Sequence, residues 1–436
     1  MSAVTAQHPY VEALLTGSRQ LPALPVSWLN ARRGEALERA NALTVPTPRD
    51  EEWRFTDITP LTRLAVTPLA AAPRLMMADI AHLIVPEASA HLTFVNGTFS
   101  PELSATAGLP YGVVVNHLAA AITTHGAVIE PHLARHAGFE HELFSALNTA
   151  HLHDGAFVWV AGNQKCPTPV QVLYLSTQKD TAAHPRCLVL LESGAECTLI
   201  EDFVGLADGA YLTNAVTEIV LADHARLQHV RLQREARTAF HIATCAVAVA
   251  RDANYVSNSV TLGARISRYN LNVAEHGEGA ACRIDGLALI GGRQLADTHT
   301  SLDHRCPNTV SEQLHKTIVN DAAHAVFDGK VLVREGAQLT NSAQQSRNLL
   351  LSSKARIDTK PQLEIFADDV KCAHGATVGQ LDAEHVFYLR SRGLSEARAR
   401  NLLTYAFGAE VIDRIPVPSL VESLERIVLE QTQTES

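Results

Sequence analysis

The sequence predicts a mainly β protein, a parallel β-helix flanked by helical N-terminal and C-terminal regions. Two observations carry this. From about His91 to Gly379 the 436-residue chain breaks into short apolar segments such as LTFVNG, YGVVVN, AFVWVAG, VQVLYLS and RCLVLL. Each is bounded by Gly, Asn, Asp or Pro, the pattern of strands between tight turns. Small-residue breaks recur at Gly194-Ala195, His224-Ala225, Asp252-Ala253 and Gly279-Ala280. Their spacing of roughly 27 to 30 residues suits stacked coils, each unable to bury its inner face alone. Later breaks at Gly336-Ala337 and Lys354-Ala355 come closer together. A pair of packed sheets is the competing architecture, and the weak self-similarity argues against a propeller.

The pattern divides the chain into residues 1–90, 91–379 and 380–436. In the first part Val11, Leu14 and Leu15, then Leu37, Ala40 and Leu43, recur at helical spacing until Pro46 and Pro48 end the pattern. The segment RDEEWRFT (49–56) offers Trp53 and Phe55 as anchors on a neighbouring surface. In the second part Val256, Val260 and Leu262 alternate with Ser257, Ser259 and Thr261, and Tyr269, Leu271 and Val273 alternate with Asn270 and Asn272. That period of two predicts strands with one dry and one polar face, and long helices are hard to find there. In the third, Ser395 is placed to cap a helix through Ile412 with Leu402, Leu403, Ala406, Phe407 and Val411 on its apolar side. After Pro416 and Pro418, a second amphipathic helix presents Leu420, Leu424, Ile427 and Val428. Such a hairpin either caps the exposed last coil of a solenoid or docks a partner.

At 46% hydrophobic and 19% charged the chain can bury a substantial core. A formal charge of −10, with no Lys/Arg cluster interleaved with aromatics, argues against a nucleic-acid surface. The start lacks a basic stretch followed by an apolar one, and the apolar runs are too short to cross a bilayer, so a cytoplasmic protein with no membrane partner is expected. Seven scattered cysteines, none in a CxxC spacing, point to reduced thiols rather than a disulfide framework or a preformed metal cage. The phosphate-loop, dinucleotide, nucleophile-elbow and zinc-protease motifs are all missing, so a self-contained enzyme is not expected.

Two stretches hold ligand chemistry. If residues 370–374 are extended, Cys372 and His374 lie on one face roughly 7 Å apart, followed at once by Gly375. A half-buried thiol beside a surface histidine reads the same way. Asp297, His299, Asp303, His304 and Cys306 gather residue types that bind transition metals, and equally those of a hydrogen-bonded polar face or turn. His151 and His153 share that ambiguity, and His276 lies in a glycine-flanked loop.

FDGKVLV, QQSRNLLLSSKARIDTKPQLEIFADDVKCAHGATVG, FYLRSRGL and ARNLLTYAF, between Phe327 and Phe407, resemble the SufB/SufD family of iron-sulfur cluster assembly proteins. EEWRFTD and the overall length extend the likeness over most of the chain, and KCAHGATVG resembles the SufD branch more than SufB. The resemblance implies a right-handed parallel β-helix, assembly with a SufB subunit and two copies of the ATPase SufC, and a transient iron-sulfur cluster shared with SufB. It places His374 in cluster assembly at the SufB contact, with Cys372 in the same motif. It makes the region from Ser395 the SufC docking element, with Leu402, Leu403, Tyr405, Ala406 and Phe407 as its candidate contacts. A reduced flavin is associated with the family's complex, and no residue here reads as its site. The alternatives are a purely structural partner of SufB and SufC, the SufB role itself, or a carbohydrate-cleaving β-helix, which needs paired carboxylates and usually a secretory signal. A homodimer of the isolated chain is plausible if a sheet edge stays open.

Overall fold

The computed structural model describes residues 8–19, 21, 23–67, 74–206 and 208–431. Within them the chain winds into a largely parallel β-solenoid of two sheets. From Arg186–Leu191 onward successive strands pass alternately to one and the other, while Ala90–Val95 pairs antiparallel with Thr98–Phe99 and Val113–His117 with Ala156–Val160. Along the first sheet Glu196, Arg226, Asn254, Ala281, Val310, Asn341 and Lys371 occupy successive rungs. Leu212, Phe240, Ile266, Leu295, His324 and Arg356 do the same along the second. Each position therefore stands in a column whose next member lies one coil away.

The coil corners account for the sequence breaks. Gly194, His224, Asp252 and Gly279 all take left-handed backbone, with φ of 70, 61, 53 and 71°, and the alanine after each is fully buried. Glycine enters this region freely and short polar residues more readily than most, while a small following side chain lets the backbone tuck beneath the next coil. Gly336-Ala337 belongs to a longer turn at the same corner, between His324–Val333 and Asn341–Leu350. Lys354-Ala355 lies at the opposite corner, before Arg356–Ile365, so the apparent spacing contracts.

The dry and polar faces are assigned differently in different strands. In Ile266–Glu275 the apolar Tyr269, Leu271 and Val273 enter the core between the sheets, while Asn270 and Asn272 face outward. In Asn254–Thr261 the arrangement inverts. Val260, with Leu262 just beyond the strand, faces out onto a second apolar layer, and Ser257, Ser259 and Thr261 are buried inside. Helices cover this sheet, so its strands are buried on both faces and polarity no longer marks the outside. Several of the interior charged groups are paired across the core. Glu201 accepts from Thr217 and contacts His229 Nε2 at 3.0 Å, and His229 Nδ1 meets the Tyr255 hydroxyl at 2.9 Å. Arg231 donates to His241, whose Nδ1 donates to Glu235 at 2.6 Å. Fully buried groups of this kind are tolerated because each finds a partner.

Two helices, Leu118–Ile129 and Leu143–Ala150, interrupt the stretch that reads as strands. Alanines at 119–121 favour helix in the first, and the Glu142 side chain caps the second by accepting from Ser145 N at 2.9 Å. With Pro9–Arg19 and Ser27–Ala42 they cover the early part of the second sheet.

At the other terminus, Glu396–Ile412 begins with Ser395 capping Arg398 N, as the sequence predicts. This helix and Pro418–Gln431 lie along the outer face of the first sheet, against Val230, Leu232, Val260, Leu287, Leu314 and Ile318. They do not cap the last coil, because the outward columns of the middle coils offer a longer dry strip than the solenoid end. The buried side of Glu396–Ile412 also differs from expectation. It comprises Ala399, Asn401, Thr404, Gly408, Val411 and Ile412, while Leu402 and Ala406 are exposed and Leu403 and Phe407 half-buried. Gly408 explains the choice: a Cβ there would already lie 3.6 Å from Leu287 and Ile318, so the small-residue side is the one that can approach the sheet closely.

Candidate functional site at the last coil

Arg356–Ile365 and Lys371–Gly379 end the two sheets, each pairing with one neighbour among the described residues. Their residues are half-buried or exposed throughout, in contrast to the coils beneath. Lys371 N donates to Thr340 O at 2.8 Å. Alternate residues of a parallel strand bond to the same neighbour, so the N–H groups of Cys372, His374, Ala376 and Val378 face the open edge.

Cys372 and His374 do share a face. Cys372 stands above Ser342 and His374 above Gln344 in consecutive inward columns, where both lower residues are buried. One further coil would enclose the pair. Without it His374 is exposed and Cys372 half-buried against the core edge, and burial pushes the Cys372 thiol up. No group of three or more His, Cys, Asp or Glu residues is placed to hold a metal among the described residues. The two donors at the end therefore form an incomplete set.

The second candidate cluster is dispersed by the strand period and a corner. Asp297 and His299 face outward from Leu295–His304, and Asp297 accepts from Thr56 and Arg268 at 2.5 Å each. Asp303 pairs with Arg305 and Arg334. His304 points inward to Glu275 and Ser311, and Cys306 at the next corner donates to His276 O at 3.1 Å. Their roles are structural pairings rather than one metal site. His151 stacks on His184 at 3.9 Å with its ring nitrogens at Leu147 O and Leu14 O, tying in Pro9–Arg19, and burial lowers it to about 4.

Asp297 and His299 instead anchor the EEWRFT segment. Trp53 lies under the Arg268 guanidinium at 4.0 Å, Thr56 bonds Asp297, and His299 sits 2.9 Å from Asp297 and 3.5 Å from Glu52. Burial lowers the His299 pKa, but Asp297 and Glu52 outweigh it and the net shift is upward. A group raised on folding stabilises fully below its unfolded value, about 6.5, and that contribution is lost as pH rises through the higher folded value. Thermal unfolding is therefore expected to show the segment loosening from near neutral into mildly alkaline pH, and His299→Gln to flatten that dependence.

Among the proposed docking residues, Tyr405 donates to Glu425 at 2.6 Å, and Phe407 packs over Lys316, which donates to its carbonyl at 2.8 Å. These two hold the helix in place, leaving Leu402 and Ala406 as its outward surface. Sequence reasoning missed Phe366, Phe387 and Tyr388, which are 63, 71 and 56% exposed. Together with Ile365 and Val378 they place apolar surface on the last coil and on the helix Ala383–Ser391 that follows it. FYLRSR carried the signal, in a helix too short for its periodicity to reveal an outward face.

The fold and its uncovered end define a parallel β-solenoid protein with a thiol and an imidazole on a last coil whose outer edge is open among the described residues. Residues 174–407 match the family described as SUF system FeS cluster assembly, SufBD core domain, and residues 5–172 match the SufBD protein N-terminal region. A SufBD family iron-sulfur cluster assembly protein of Synechocystis is 41% identical over 414 residues, covering 92% of this chain and 90% of its own. The iron-sulfur cluster assembly protein SufD of Escherichia coli is 35% identical over 376 residues, 85% of each chain. SufD of Bacillus subtilis is 27% identical over 413 residues, 92% of this chain and 93% of its own. This chain belongs to the SufB/SufD family of iron-sulfur cluster assembly proteins. Among the described residues no helix is long and apolar enough to cross a membrane.

Proposed function

We propose that this chain is the SufD-type subunit of a cytoplasmic iron-sulfur cluster assembly complex, pairing its last coil with a SufB subunit and docking the SufC ATPase on its C-terminal helices. The observation that carries the reading is the uncovered last coil, where Cys372 and His374 occupy inward columns that every earlier coil buries. Iron in clusters favours thiolate, with imidazole an acceptable substitute. A nascent cluster is cargo that must leave, and a chain offering two donors cannot close a site alone. The partner completes the ligand set, and rearrangement of the contact opens it. Leu402 and Ala406 face outward on a helix seated against the middle coils, so movement of SufC can be transmitted along the first sheet.

His374→Ala, in a complex that still co-purifies with SufB and SufC, is expected to lower bound iron and acid-labile sulfide about tenfold or more, the scale on which metal-site residues act. Wild-type iron and sulfide in that complex would overturn the ligand role. Wild-type spectra after replacing both Cys372 and His374 would assign the chain a purely structural part.

A further inference from the structure

At the opposite end of the solenoid two thiols lie against each other. Lys165 bridges Glu196 in parallel register, with Cys166 N donating to Glu196 O at 2.8 Å and Glu196 N to Gln164 O at 3.0 Å. Cys166 and Cys197 are the next residues on each side. Neighbouring strands are ~4.8 Å apart, inside the ~4.4–6.8 Å between Cα atoms that a disulfide spans. The thiols are in contact, Cys197 bonding to Cys166, which also approaches Thr168 O at 3.2 Å.

The backbone here can accommodate a covalent bond. The ladder resumes at Val170 opposite Leu199, so more residues separate Lys165 from Val170 than Glu196 from Leu199. Cys166 thus lies in an irregular stretch before Val170–Ser176, where its side chain can adjust to disulfide geometry. The two thiols are also unlike. Cys166 is half-exposed, and its contact with Cys197 favours the thiolate; Cys197 is buried, and the same contact and burial keep it protonated. An accessible nucleophile beside a buried thiol is the arrangement in which a sulfenic acid is resolved at once. Cys306 and Cys372, the other half-buried cysteines, are far apart in the fold, at a corner and on the last coil respectively.

We propose that Cys166 and Cys197 form a site of reversible oxidation, closed to an intrachain disulfide by peroxide. The Cys166 thiolate attacks one peroxide oxygen, and the hydroxide released takes a proton to become water, leaving a sulfenic acid. The Cys197 sulfur then attacks that sulfur and a second water leaves, carrying the oxygen and the Cys197 proton. Two thiols are oxidised and one hydrogen peroxide is reduced to two waters.

The test treats the full-length reduced chain with hydrogen peroxide, blocks the remaining thiols under denaturing conditions and maps the peptides by mass spectrometry. Two thiols per chain should disappear as a Cys166–Cys197 cross-link that dithiothreitol reverses. Cys166→Ser, at the half-exposed position, should abolish the cross-link while leaving the melting temperature and the alkylation of Cys306 and Cys372 unchanged. Sulfinic acid at Cys166 with Cys197 still alkylated would overturn the proposal, as would cross-links that run through Cys306 or Cys372 instead.

Discussion

Glu218→Ala is expected to destabilise the fold by about 3–5 kcal/mol, the range for breaking a buried ion pair from one side. The Glu218 carboxylate is fully buried and accepts five hydrogen bonds: from Ala134, Arg135, His136 and Ala137 N at 2.7–3.0 Å, and from Arg186 Nη2 at 2.5 Å. Arg186, equally buried, donates onward to Asn148 and Thr149 of Leu143–Ala150. Removing the carboxylate strands a guanidinium and four backbone donors at the junction between the helical region and the second sheet. Burial raises the Glu218 pKa, but Arg186 and the backbone donors prevail and hold it below the usual carboxylate range. The stabilisation is therefore present above the unfolded value, about 4.3, and is lost as pH falls through the lower folded value. Urea titrations from neutral to acidic pH should show the midpoint falling in the parent and changing less in Glu218→Ala. A midpoint at neutral pH equal to the parent's would refute this account.

On the proposed pairing of the last coil, with SufB or with a second copy, Ala376→Pro is expected to weaken that association by at least about tenfold, or roughly 1.4 kcal/mol. The Ala376 N–H faces the open edge, so proline removes a donor available to a partner without breaking a rung inside the chain. Thr377→Pro is the contrast. By the same alternation its N–H bonds back to Asn341–Leu350, and its loss should fray Lys371–Gly379 itself. Sedimentation of the parent and both variants separates the effects: Ala376→Pro should remain folded by circular dichroism yet dissociate. Unchanged association would show that pairing does not use this edge.

Much of the fold was legible because some residues have few alternatives. The corners at Gly194, Asp252 and Gly279 declared themselves as recurring small-residue breaks, which the left-handed backbone there explains, and Ser395 as a cap. The faces were harder to read. Alternation in Asn254–Thr261 shows that two sides differ, but only the helices packed outside reveal that serine faces in. At the site, the shared face of Cys372 and His374 followed from the strand period, whereas their exposure depends on which coil comes last. Asp297 through Cys306 looked like one cluster because closeness in sequence cannot distinguish outward Asp297 from inward His304, or either from a corner.

Because every rung repeats the one before, the solenoid also serves as a spacer of fixed length. Five steps separate Leu212–Leu221 from Arg356–Ile365, about 24 Å at ~4.8 Å each. The number of coils, rather than any single residue, thus sets how far the thiol pair and the helical region stand from the edge where Cys372 and His374 wait. Lineages that gained or lost a whole coil would shift that distance in ~4.8 Å steps while preserving the chemistry at both ends.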